Sequence, residues 1–384
     1  MPSRSGDGVI LFRDGRSTDE KYMPYPLRDG ETPRKSEVIC CSSCPHRREP
    51  PAESLELAKL GVSCQSATGK FDLLHVLEPR WDYKGRMWTR ALPSEIQGAY
   101  TTHLDADSIK KAIEIGNPAV VVFHALIMPV DTVREMAESF PKVSFVNLFH
   151  GSQNNLLYRP SWVKDQLAFL QLAQVCDNVH YATPDARMAL DTLGWQRCVV
   201  WPNLLAYDRP DGPPPALDPP RLLISGRFDI VKAIPTAILA AGLVNQRRPI
   251  ELHAIIDDRS GVVQAMADCA KVPITMHKFM DWPEFHRFLW NSVSVLTHVS
   301  LTDANAHTPL DAAIMGRPVV GSEAIDFLPI QADANNPVDI ADYVCSILND
   351  YDTYSESFTA YAKRDIEKRT RAMQSLFTQL DKRE

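Results

Sequence analysis

The 384-residue chain reads as an α/β protein with two doubly wound, Rossmann-like domains. Three observations predict this. The chain is too long for one ordinary core. Short apolar runs alternate with helical patterns on both sides of one proline-rich segment. That segment, residues 208–220, holds six prolines, which forbid helix and favour an extended connector. The expected parts are a domain over 1–207, a linker over 208–220 and a domain over 221–384.

Before the linker, 8–12 is a candidate first strand. Residues 119–124 and 143–149 are better strand candidates. Residues 178–182 and 198–201 read as later strands. Helices are expected over 107–115, 131–140, 161–174 and 185–193. After the linker, strands are expected at 221–225, 250–256, 274–277 and 293–297, with helices at 232–244 and 282–290. Residues 337–382 read as two or three terminal helices, and no internal repeat is visible.

A formal net charge of -7 and a pI near 5.9 do not suggest a general polyanion binder. No apolar run is long enough to span a bilayer. The first residues lack the apolar core of a signal peptide, which points to the cytoplasm. Cys176, Cys198, Cys269 and Cys345 lie scattered in apolar contexts, as reduced core cysteines do.

The densest chemistry lies between Ser300 and Gly321. Thr308 has the character of an N-cap, Pro309 suits the first helical position, and Asp311 stands at capping-box spacing. Gly316 stops the short helix, and 317–321 follows as a strand. A helix start offers unpaired N–H groups and a positive dipole end, which can hold a phosphate. Both Gly226-Arg227 and the stretch from Asp303 to Asp311 follow strands, where ligands bind in open α/β sheets.

Several segments resemble, in order, the retaining glycosyltransferases of the GT-B fold, close to glycosyltransferase family 4. Trp201-Pro-Asn203 resembles the close of the N-terminal domain there. Ser225-Gly-Arg-Phe-Asp-Ile-Val-Lys232 resembles the family's Gly-Arg and downstream Lys. Asp303 and Asp311, with seven residues between them, match its two-glutamate motif with aspartates. The resemblance covers roughly residues 115–380. Asp14-Gly-Arg16 is a candidate remnant of the family's early glycine-rich loop.

The resemblance implies two domains facing across a cleft, and it implies roles. Arg227 and Lys232 would neutralise the diphosphate of a nucleotide-sugar, a UDP-sugar first among the options. Gly226 and the backbone of Ala306, His307 and Thr308 would border that diphosphate. Asp311 would hold the ribose hydroxyls. Asp303 would contact sugar hydroxyls near the reacting carbon, and His150 would lie near the transferred sugar. No catalytic metal is expected. Aspartate is shorter than glutamate by a methylene, so compensation by the backbone, a different donor and lost activity are all open. His124 reads as a core histidine.

Cys40, Cys41, Cys44, His46 and Cys64 form a second constellation, within a Cys-rich insert at 38–66. The Cys41-x2-Cys44 knuckle suits a structural zinc. An iron–sulfur cluster and a reduced loop are the other readings. The ordinary family lacks this insert. Next, residues 80–90 interleave Arg80, Lys84, Arg86 and Arg90 with Trp81, Tyr83 and Trp88. That pattern can bind nucleic acid or form a loop that anchors the domain.

The expected activity is sugar transfer, with retention, from a nucleotide-sugar to an acceptor hydroxyl. A hydroxymethylated base in DNA is the sharper acceptor, and would need base access. A glycan or small molecule is the conservative one. The competing class is a non-catalytic nucleotide-binding protein.

Overall fold

A computed structural model describes residues 52–64, 66, 68–125, 127–150, 160–184, 198–226, 228, 231–256, 260–303, 306–325 and 327–383. Expectations for 8–12, Asp14-Gly-Arg16 and 185–193 lie outside the described residues, as do Cys40, Cys41, Cys44, His46 and Arg227.

The first half begins with α1 (Ala52–Lys59), β1 (Val62–Cys64) and β2 (Leu73–Val76). A 3-10 turn (Pro79–Trp81) leads into α2 (Asp82–Ala91), then β3 (Gly98–Thr101). There follow α3 (Ala106–Gly116), β4 (Val120–His124), α4 (Val130–Ser139) and β5 (Ser144–Leu148). Helix α5 (Pro160–Val175), β6 (Val179–Thr183) and β7 (Cys198–Val200) complete it. The sheet runs β1-β3-β2-β4-β5-β6-β7, parallel except where β1 meets β3. Strands β2, β4 and β5 are buried throughout, as strands covered on both faces must be.

The second half holds β8 (Arg221–Gly226), α6 (Ile234–Arg247), β9 (Glu251–Ile256), α7 (Ser260–Ala270) and β10 (Ile274–His277). Next come α8 (Trp282–Ser292), β11 (Val295–Thr297), α9 (His307–Ile314), β12 (Val319–Ser322) and β13 (Gln331–Ala332). The order β10-β9-β8-β11-β12-β13 is parallel throughout. Helices α10 (Pro337–Asn349) and α11 (Tyr351–Leu380) end the chain.

Helix α11 ties the two sheets together. Near its start, Ser355 Oγ donates to Gly316 O at 2.6 Å. Near its end, Met373, Leu376 and Leu380 join the core beneath the first sheet, and Ser144 Oγ donates to Leu380 O at 2.6 Å. Arg317 anchors the linker and the terminal helix to the second half. It is fully buried and donates to the carbonyls of Leu289, Trp290 and linker residue Pro215 and to the Tyr351 hydroxyl.

Two sequence expectations change. Residues 82–91 are a helix, where a loop was expected, because Met87 and Trp88 supply a buried face while Arg86 and Arg90 stay exposed. Helix α9 starts at His307 with Ala306 at the N-cap and no side-chain cap, so Thr308 is not the cap.

Candidate functional site between the two sheets

Each sheet reverses its winding at one place. In the first, the chain goes from β2 outward to β3 and returns to β4 on the other side. In the second, β8 and β11 flank the same kind of reversal. Open α/β sheets bind ligands beyond the carboxyl ends of strands at such points.

At the β8/β11 point, Gly226 takes φ 141°, a backbone that glycine enters at little cost. The chain then returns so that Lys232 pairs with Ser300 in an antiparallel bridge. Lys232 Nζ donates to Asp303 Oδ2 at 2.5 Å and to Ser300 Oγ at 3.2 Å. Ser300 Oγ donates to Asp303 Oδ2 at 3.1 Å, and His298 Nε2 lies 3.4 Å from both Lys232 Nζ and Asp303 Oδ2. Burial alone would raise the Asp303 carboxyl. The Lys232 charge and the bonds from His298 and Lys232 outweigh it and hold the group well below the ordinary carboxylate range. Burial, aided by Lys232, holds His298 below the ordinary histidine range, against the pull of Asp303.

Asp311 lies in the first turns of α9 and is buried. His286 of α8 donates to its Oδ1 at 2.6 Å. Its carboxylate is therefore tied to a neighbouring helix and does not complete a capping box. The first-turn N–H groups of α9, from His307 onward, have no intrahelical acceptor. Both ring nitrogens of His307 are buried without a hydrogen-bond partner among the described residues. Burial, with the charges of Lys84 and Arg369, lowers this histidine to about 3.

At the β2/β4 point, three histidines stand in a line. His75 is the third residue of β2, His124 the last of β4, and His150 follows β5. His75 Nδ1 lies 2.9 Å from His124 Nε2, and His124 Nδ1 lies 2.8 Å from His150 Nε2. Trp88 of α2 stacks on His124 at 4.2 Å and on His150 at 5.3 Å between ring centroids. Trp81 meets His150 edge-on at 5.8 Å. Lys84 lies 4.8 Å over the Trp81 ring and 5.9 Å over that of Trp88. Trp88 also approaches His307 of the second half, 6.5 Å between ring centroids. Trp88 thus links the histidine line of the first half to the start of α9 in the second.

These two halves decide the architecture. The fold is GT-B. Solved structures with the same arrangement include a glycosyltransferase from Rickettsia africae at TM-score 0.55 and 13% identity, covering 81% of this chain and 98% of that one. TarM matches at TM-score 0.54 and 15% identity over 68% of this chain, which spans only about half, 54%, of TarM. The pneumococcal O-GlcNAc transferase GtfA, solved with UDP and GlcNAc, matches at 0.51 and 11% identity over 71% of this chain and 60% of that one. No protein-family model and no curated protein matches the sequence.

Of the expected site residues, Lys232 and Asp303 meet in one ion pair, Trp88 stacks on His150 and approaches His307, and Asp311 is held by His286. Cys64 sits apart on β1, half-buried. Its Sγ accepts from Ser66 N at 3.3 Å, and burial pushes the thiol up. Among the described residues no three His, Cys, Asp or Glu side chains converge as a metal site, and no helix is long and apolar enough to cross a membrane. Sequence reasoning missed His75, His286 and His298, and it read Lys84 and Trp88 as part of a basic, aromatic stretch without placing them beside His150. The signal for His298 was present in Thr297-His-Val-Ser300, directly after a strand.

Proposed function

We propose that the protein transfers a sugar, with retention, from a nucleotide-sugar to an acceptor hydroxyl. The observation that carries this is the Lys232–Asp303 pair beside the start of α9, at the switch point of the second sheet of a GT-B fold. Breaking a glycosyl–phosphate bond leaves a dianionic diphosphate. Lys232 and the first-turn amides of α9 are fixed positive groups of the kind that stabilise it, and such a donor is typically worth about 3 kcal/mol. Arg227 joins them in this reading. Asp303 takes the sugar hydroxyls, Asp311 the ribose, and His150 faces the transferred sugar. UDP is the proposed nucleotide of the donor, supported by the UDP in the GtfA structure.

A glycan or small molecule is the favoured acceptor. Trp88 is 6% exposed and stacked on histidines, so it is not available to stack on a base. A hydroxymethylated DNA base then rests on Cys40, Cys41, Cys44, His46 and Cys64 and on the exposed Arg86 and Arg90. Structural zinc rests on that cysteine spacing alone. A non-catalytic nucleotide-binding protein is the second reading. It is favoured by the internal engagement of both carboxylates, Asp303 by Lys232 and Asp311 by His286.

The test is nucleotide release from UDP-, GDP- and ADP-sugars, with and without hydroxymethylated DNA. Release from one donor supports the enzyme, and dependence on DNA would name the acceptor. Binding without release from any donor supports the second reading.

A further inference from the structure

We propose that His75, His124 and His150 form one tautomerically coupled array with every proton on Nδ1, so that His150 meets its ligand as a hydrogen-bond donor. His75 and His124 are positioning residues in this proposal. That the ligand is the transferred sugar rests on the reading above; the proton arrangement does not.

The geometry allows few arrangements. A neutral imidazole carries one N–H and one bare nitrogen. The contacts at 2.9 Å and 2.8 Å each need one donor and one acceptor. His124 takes part in both, through Nε2 to His75 and through Nδ1 to His150. If His124 is protonated at Nε2, all three rings carry Nε2–H. If it is protonated at Nδ1, all three carry Nδ1–H. No mixed neutral state satisfies both bonds.

The far end of the line selects between the two. His75 is 2% exposed, and its Nε2 meets no hydrogen-bond partner among the described residues. With every ring in the Nε2–H form, that atom would be a buried donor with no acceptor. Orphaned buried N–H groups are rarer in native proteins than under-used acceptors. With every ring in the Nδ1–H form, it is a bare nitrogen that needs no acceptor; His75 lines a cavity together with Trp88, Trp201, Asn203 and several leucines. His75 then donates to His124, His124 donates to His150, and His150 keeps its proton on Nδ1.

Neutrality of the array has independent support. Burial lowers His75 to about 3. Burial, then the neighbouring His150, His75 and Lys84, holds His124 well below the ordinary range. Burial, with Lys84, His307 and His75, does the same for His150. A neutral Nδ1–H suits a sugar or phosphate oxygen. It is not the bare nitrogen that a general base needs.

Long-range 1H–15N correlation of the imidazoles in the full-length 15N-labelled protein at pH 7 tests the array, with assignments from single His→Gln variants. The expected result is a protonated Nδ1 and a bare Nε2 at all three residues. A bare Nδ1 at His150, or a charged ring, would overturn the proposal. His75→Phe should turn His124 and His150 into tautomer mixtures; unmoved signals in folded variant would refute the coupling. If that variant fails to fold, the wild-type spectrum decides alone. His75→Gln should lower kcat about tenfold with donor KM unchanged, and an unchanged kcat would remove the positioning role. A wild-type protein without turnover refutes the enzyme reading, while the spectrum still decides the array.

Discussion

Lys232 and Asp303 lie 71 positions apart in the chain and meet at 2.5 Å in a buried ion pair formed by segments that follow the two central strands of the second sheet. Their side chains are 15% and 9% exposed, so neither charge is solvated well by water. An incoming diphosphate would draw on the same lysine, and Asp303 would be released toward a ligand hydroxyl.

Breaking the pair on one side should be costly. Lys232→Met leaves a buried carboxylate without its cation, and the protein should lose about 3–5 kcal/mol in urea unfolding. Lys232→Met combined with Asp303→Asn should recover most of that loss. A single-variant loss below about 1 kcal/mol would contradict the pair's importance.

Asp303 also sets a pH dependence. Its folded carboxyl lies below the unfolded value of about 3.9. The stabilisation is therefore complete above about pH 5 and is lost as pH falls through 4 and below. Between pH 5 and pH 3, wild type should lose more stability than Asp303→Asn.

The buried histidines act over a higher window. His75 and His307 are neutral when folded, and an unfolded histidine takes up a proton near 6.5. For His75 and His307, lowered to about 3, stability is complete above about pH 6.5 and falls progressively as pH drops toward 3. The protein should lose stability between pH 7 and pH 5, before carboxylates titrate, and His75→Phe should lose less. Equal losses would contradict a neutral His75.

Asp311 depends on His286 at 2.6 Å. His286→Ala should cost about 1.5–3 kcal/mol by removing a buried charge-assisted hydrogen bond. If Asp311 also holds the donor ribose, Asp311→Asn should weaken nucleotide binding more than His286→Ala does, as read by calorimetry.

The helices and strands around the site were legible where apolar runs were long. Residues 119–124 and 143–149 contain β4 and β5, and 274–277 matches β10 at both ends. Strand β2, Leu73–Val76, was missed, although β10 has the same length and also carries a histidine. With it went His75, and with His75 the line to His124, 49 positions away. Helix α2 was hidden by Gly85 and by a density of charge and aromatics that looks like a surface loop. Gly85 tolerates the helix because a Cβ there would run into Tyr100 and Leu77, so glycine permits the close packing. The Asp311–His286 bond was not legible. Capping-box spacing is a local signal, whereas the partner that won comes from another helix.

The most direct test of the central account is calorimetric titration of the wild-type protein and of the Lys232→Met/Asp303→Asn variant with UDP. UDP should bind wild type and bind the folded variant at least about tenfold more weakly, equivalent to about 1.4 kcal/mol. If neither UDP, GDP nor ADP binds wild type, or if the folded variant binds as tightly, the cleft beside α9 is not a nucleotide-diphosphate site.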